Sequence, residues 1–169
     1  MSESGTELGD VVVRGAKAAD IAAVTELDKR ITSLAKPDYW EDMFRRYGNR
    51  ENRFFLVAES MGKSVVGFII GEIRAWEFGS PPTGWIFAMA VDPAARLRKV
   101  GSRMFEAITA HLAENGVDTV RTMLAHDDQL NMAFFRSQGM MGGPFIQLEM
   151  PLRSSHDQKR SSRGTGQKG

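Results

Sequence analysis

The stretch Val91-Asp92-Pro93-Ala94-Ala95-Arg96-Leu97-Arg98-Lys99-Val100-Gly101-Ser102-Arg103-Met104 joins an apolar strand to an amphipathic helix through a short basic loop. A helix starting there aims its unbonded N–H groups and the positive end of its dipole out of the junction, an arrangement that holds phosphate. Arg96, Arg98 and Lys99 add side-chain charge to the same turn. Taken alone, Asp92-Pro93 serves equally well to end a strand, and the three basic residues to make a solvated turn.

Outward from the loop, Val100, Met104, Ile108 and Leu112 recur at helical spacing with Phe105 beside them, and Asn115-Gly116 ends that helix. Val117 to Leu124 then reads as a strand, Asp128 to Ser137 as a helix closed by Gly139, and Phe145 to Leu152 as a final strand. Upstream, Trp85 to Val91 follows two other strands, Phe54 to Glu59 and Val65 to Arg74, joined by the turn Met61-Gly62-Lys63. The connection from Ala75 to Gly84 is rich in Gly and Pro with no helical pattern, so antiparallel pairing is the simple outcome. At the start, Val11 to Val13 is a short strand, and Ile21, Val24, Leu27, Ile31 and Leu34 mark a helix stopped by Pro37. A shorter helix runs from Asp38 to Tyr47.

The predicted order is therefore β-α-α-β-β-β-α-β-α-β, an α/β (α+β) chain with a mixed central sheet. At 169 residues, 42% hydrophobic and 25% charged, it fits one domain over residues 10–152. Residues 1–9 and the basic tail 153–169 lack apolar patterning and are expected to be disordered. With no cysteine there is no thiolate nucleophile or disulfide, and three scattered histidines give no metal-ligand spacing. The polar, acidic start and the short apolar runs predict a cytoplasmic chain with no membrane partner. A net charge of +1 gives the folded part no electrostatic footprint for nucleic acid. A homodimer is compatible with all of this.

Two phosphate motifs are excluded. Gly62-Lys63-Ser64 resembles the end of a P-loop, but Val57 stands where that motif needs its first glycine, so the tripeptide is a hairpin turn. Residues 96–101 also lack the Gly-x-Gly-x-x-Gly of a dinucleotide fold.

A second pattern, Asp128-Gln129-Leu130-Asn131-Met132-Ala133-Phe134-Phe135-Arg136-Ser137-Gln138-Gly139-Met140, follows at a suitable distance. With both in view, the chain resembles the GCN5-related N-acetyltransferase (GNAT) superfamily from Val65 to Met140. Val91, Pro93, Arg96 and Gly101 match its acetyl-CoA motif, and Gly139 matches the next helix. The resemblance implies a sheet that splays open beside Trp85 to Val91, with acetyl-CoA as co-substrate in the split. Met89, Ala90 and Val91 would pair with the pantetheine arm, and the N–H groups of Leu97, Arg98, Lys99, Val100, Gly101 and Ser102 would hold the pyrophosphate. Asp128, Asn131 and Phe135 would lie against the cofactor.

Four positions depart from the family pattern. Lys99 replaces a loop glycine, Asp128 and Asn131 stand where Asn and Ala are usual, and Phe135 stands where a tyrosine commonly protonates the departing thiolate. General acid catalysis is typically worth about 10²- to 10⁴-fold, yet a thiolate leaves tolerably well unaided. Phe87 occupies a strand where many relatives carry a glutamate base. The candidates for proton handling are then Glu72 on the neighbouring strand and His126 at the mouth. Glu72 also reads as a carboxylate paired with Arg74 or solvent, and His126 as an exposed turn histidine. Tyr39, Trp40, Trp76, Glu77 and Phe78 are candidates to line an acceptor pocket.

The expected activity is transfer of acetyl from acetyl-CoA to a small-molecule or peptide amine by direct attack. The alternative is an acyl-CoA-binding sensor or partner-binding module with little turnover.

Overall fold

A computed structural model describes residues 11–48 and 50–152; the predicted disorder of 1–9 and 153–169 lies outside the described residues. The chain divides into two units, Met1–Gly139 and Met140–Gly169, a boundary that falls inside the expected 10–152 domain. The first unit carries β1 (Val11–Gly15), α1 (Ile21–Thr32), α2 (Pro37–Tyr47), β2 (Arg53–Ser60), β3 (Val65–Arg74), β4 (Thr83–Val91), α3 (Val100–Glu114), β5 (Val120–Arg121) and α4 (Gln129–Ser137). Its five strands pair in chain order, antiparallel through β4 and parallel between β4 and β5.

Helices cover both faces of the sheet. On one face Val24, Leu27, Trp40 and Met43 of α1 and α2 pack on Phe55, Val57, Phe68 and Ile70, with Ala88 and Ala90 at the margin. On the other face α3 lies close to the strands because its buried Met104, Ile108 and Leu112, four residues apart, each meet a glycine. A Cβ at Gly67 would approach Met104 Cε to 2.9 Å, one at Gly71 would approach Ile108 Cδ1 to 3.0 Å, and one at Gly84 would approach Leu112 Cδ1 to 2.6 Å. The apolar stripe on α3 and the glycines on β3 and β4 are thus one packing arrangement read from two places in the sequence.

Three expectations need correction. First, α1 ends at Thr32 because Ser33 turns left-handed at φ 59°, leaving Leu34 exposed; Pro37 opens α2 rather than stopping α1. Second, the strand expected over Val117 to Leu124 shrinks to two residues. Its ladder with β4 holds only at Gly84 opposite Val120 and Trp85 opposite Arg121, and the Thr122 hydroxyl then bonds the Ile86 carbonyl at 2.9 Å in place of the next rung. Third, no strand forms over Phe145 to Leu152. Strand backbone needs a ladder partner, and the described part of the second unit contains none; Ile146, Leu148, Met150 and Leu152 are all exposed.

The first unit is anchored at its start by Arg14. Its guanidinium bonds both Asp20 oxygens, at 2.7 and 2.9 Å, and also meets Glu59 of β2. Asp20 immediately precedes α1 and accepts the Lys17 N–H at 2.7 Å. These bonds fix where α1 leaves the sheet, and hence where its inner face points.

Candidate active site

The split in the sheet follows from register. Asp92 N–H bonds the Val66 carbonyl at 2.8 Å, so the alternation of an antiparallel ladder pairs Ala90 with Phe68 and Ala88 with Ile70. The N–H and C=O groups of Met89 and Val91 then face the opposite edge. Among the described residues no strand covers that edge beyond Trp85, since β5 stops there. Phe87 is an extra residue between Ala88, opposite Ile70, and Ile86, opposite Gly71, and this bulge increases the divergence.

A cavity of about 380 Å³ occupies the split. One wall is Ile86 to Ala90 of β4 with Phe68 of β3; another is Thr122 to Ala125 after β5, with Asp128, Asn131 and Phe135 of α4. The third is formed by Asp28, Ile31 and Thr32 of α1 and Lys36, Tyr39 and Trp40 at the start of α2.

The structure brings Met89, Ala90, Asp128, Asn131 and Phe135 together on the cavity wall. Asp128 caps α4, accepting the Asn131 N–H at 3.1 Å and its Nδ2 at 2.8 Å, so these two unusual residues form a closed pair. Phe135 is buried and edge-packed on Phe105 and Phe134, presenting a ring and no hydroxyl.

Val91 and residues 96–102 lie outside the cavity lining, along the chain from the open β4 edge into α3. Pro93 to Arg98 form a 3-10 turn capped by Asp92, whose side chain accepts the Ala94 N–H at 3.0 Å and meets Arg30 at 3.0 Å. Arg96 and Lys99 are exposed, while the side chains of Leu97 and Arg98 lie outside the described residues. Lys99 adopts the left-handed conformation, φ 56° and ψ 22°, a region that favours glycine. The first N–H groups of a helix lack intrahelical acceptors, here those of Val100, Gly101 and Ser102. Gly101 lets Met89 and Phe134 close over this turn, and Gln138 Nε2 donates to Ser102 Oγ at 3.0 Å.

Neither proton-handling candidate lines the cavity. Glu72 is held by Arg74 at 2.8 Å and accepts the Tyr47 hydroxyl at 3.2 Å. Burial and the Glu72 charge push the Tyr47 hydroxyl above its ordinary pKa, keeping it a donor. Tyr47 in turn packs edge-on against Phe87 of the cavity wall, with ring centroids 5.0 Å apart, so two rings stand between Glu72 and the cavity along this line of contacts. His126 is exposed just beyond Ala125. Of the aromatic candidates, Tyr39 and Trp40 line the cavity, whereas Trp76 and Phe78 project into solvent.

Sequence reasoning missed Asp28 and Lys36. Asp28 is buried, and one of its oxygens receives both the Trp40 indole N–H, at 3.0 Å, and the Lys36 ammonium, at 2.9 Å. The signal was present: Asp28 lies seven residues after Ile21 and four after Val24, a charged residue on the apolar face of a helix.

Residues 21–140 match the Acetyltransferase (GNAT) family. The chain belongs to this family. Over 80 residues it is 32% identical to L-2,4-diaminobutyric acid acetyltransferase of Nocardia farcinica, a match covering 47% of this chain. The chain spans only 39% of that relative's length. In fold it is similar to aminoglycoside 6'-N-acetyltransferase AAC(6')-Ih from Acinetobacter baumannii, with TM-score 0.73, 12% identity, and coverage of 85% of this chain and 100% of that one. It is also similar to aminoglycoside N-acetyltransferase AAC(6')-Iy in complex with CoA, with TM-score 0.74, 14% identity, and coverage of 85% and 95%. Among the described residues no helix is long and apolar enough to cross a membrane.

Proposed function

We propose that this GNAT protein transfers an acetyl group from acetyl-CoA to the amine of a small molecule. The open β4 edge carries the reading. Met89 in the cavity wall and Val91 just beyond its lining present a strand's hydrogen-bonding groups on one edge, with no strand among the described residues to receive them, which suits an extended chain of amides. Acetyl-CoA supplies a thioester carbonyl when bound. The N–H groups from Leu97 to Ser102, with Arg96, Arg98 and Lys99, hold its pyrophosphate. Since the Ala90 N–H faces β3, the Met89 N–H beside it is the donor placed to polarise the carbonyl.

An alkylamine near pKa 10 must shed a proton before it attacks. With Glu72 engaged by Arg74 and Tyr47, and His126 outside the lining, that proton leaves through water at the mouth. Phe135 gives the thiolate no proton, so solvent provides it. The cavity's size and the amine substrates named for the similar proteins favour a small acceptor over a peptide.

Calorimetry with acetyl-CoA and a thiol-release assay over an amine panel test the proposal. Replacing Arg96 and Arg98 with Ala raises the acetyl-CoA dissociation constant if the loop holds pyrophosphate; unchanged binding removes that assignment. Phe87 and Phe135 favour a second reading, an acyl-CoA-binding module, whose signature is cofactor binding with no thiol release for any amine.

A further inference from the structure

The acceptor wall already holds an alkylammonium group, and it belongs to the protein. Lys36 extends into the cavity lining from the turn before α2, and its Nζ stands 2.9 Å from Asp28 and 5.8 Å from the centre of the Tyr39 ring. The carboxylate it meets is built to receive a cation. The Asp28 side chain is only 10% exposed, and the Trp40 indole N–H fixes it from the core side. Trp40 is itself immobilised, 3% exposed and edge-packed on Phe68. Lys36, at 31% side-chain exposure on a loop, is the movable partner of the pair.

The cavity lining carries two carboxylates, Asp28 and Asp128, and one ammonium, so its formal charge is negative. Asp128 is satisfied by neutral donors of its own helix, which leaves Asp28 as the anion whose counter-charge can be exchanged. A cation in this corner gains the carboxylate and an aromatic face together.

We infer that Asp28, Trp40 and Tyr39 form an ammonium subsite that Lys36 fills in the free protein and that a second amino group of the acceptor takes over. The acceptor is then a diamine: one amine stays charged and is anchored at Asp28, while the other is acetylated. This rests on the acetyltransferase reading above and names the acceptor class within it. A monoamine cannot fill both places: with its single ammonium at Asp28 it leaves no amine at the thioester, so it reacts only when bound without the anchor.

The test compares 1,4-diaminobutane with uncharged 1,4-butanediol by calorimetry on the full chain without cofactor, and with 1-aminobutane by thiol release with acetyl-CoA. The diamine is expected to bind at least about tenfold more tightly, one charge-assisted contact being worth about that factor. Asp28→Asn should bring the two affinities together, and Lys36→Met should tighten the diamine several-fold by removing the internal competitor. Equal affinities in the unaltered protein, or a Lys36→Met protein that binds the diamine no better, overturns the subsite. Calorimetry needs no turnover, so diamine binding with no thiol release defeats the acetyltransferase reading and spares the subsite. Thiol release with no diamine preference does the reverse.

Discussion

On the function proposed above, the two sides of the site recognise their ligands by different means. The β4 and α3 side uses backbone: the open edge at Met89 and Val91 and the first N–H groups of α3. The α1 and α2 side uses side chains, with Asp28, Lys36, Tyr39 and Trp40 assembled around one buried carboxylate. Backbone recognition depends on where a strand loses its partner and a helix begins, and it survives changes of side chain such as a lysine at position 99. Side-chain recognition depends on individual residues, so it is where acceptor choice resides. Substitutions can therefore impair one side and spare the other.

The largest separation is expected from Val91→Pro. Its N–H makes no bond to β3, so proline removes no ladder hydrogen bond, yet it deletes a donor from the open edge and puts a ring into the groove. Acetyl-CoA affinity should fall about a hundredfold, about tenfold from the lost hydrogen bond and about tenfold from the ring's obstruction of the groove, while the circular dichroism spectrum and diamine binding persist. If cofactor binding survives, the open edge is not the cofactor's partner.

Arg14→Met reaches the acceptor side through the scaffold. Arg14 holds the Asp20 carboxyl below the ordinary carboxylate range, chiefly by its hydrogen bonds, and removing it leaves a nearly buried charge without its partner. A loss of about 2 kcal/mol at neutral pH is expected in denaturant unfolding. Because the folded pKa of Asp20 is depressed, its contribution is fully present above the unfolded value near 4 and disappears as pH falls through the lower folded value. Unaltered protein should therefore lose stability below about pH 4 more steeply than the variant. Parallel acid profiles would mean that Arg14 does not stabilise the ionised form.

Trp40→Phe keeps the ring and removes the indole N–H that orients Asp28. About a tenfold rise in diamine KM is expected with the acetyl-CoA dissociation constant unchanged. A change in both would show that the two sides are not separable.

The same contrast explains what the sequence disclosed. The proposed cofactor loop was drawn from Val91-Asp92-Pro93 with Arg96 and Gly101, a local pattern, and the 3-10 turn and helix start found there follow from local order. The splay was legible only as part of the family resemblance: the pairing of Val120 and Arg121 with β4, and its replacement beyond them by the Thr122 hydroxyl, are contacts between distant segments. Asp28 stood in plain view on the buried face of α1, but its meaning depends on Lys36 and Trp40 folding back from the next helix. Glu72 was a reasonable candidate by strand position, yet it is engaged by Arg74 and Tyr47, and the Tyr47 ring packs on Phe87. The alternating apolar residues after Phe145 satisfy a strand's pattern, but side-chain period alone does not supply a backbone partner.

Lys99→Gly gives the smallest effect and the finest test of the cofactor side. Lys99 is held at φ 56°, a conformation costing a residue with a Cβ about 1 kcal/mol that glycine would not incur. Glycine's greater freedom in the unfolded chain offsets much of that, so stability should rise by no more than about 1 kcal/mol. If backbone N–H groups do most of the binding, acetyl-CoA affinity should fall only a few-fold, and the loss should shrink as salt screens the missing ammonium. A larger, salt-independent loss would place the lysine side chain in a direct contact and assign the loop to the side-chain mode of the opposite wall. A gain in both stability and affinity would mean that the ammonium contributes nothing and the residue is retained at a net cost to the fold.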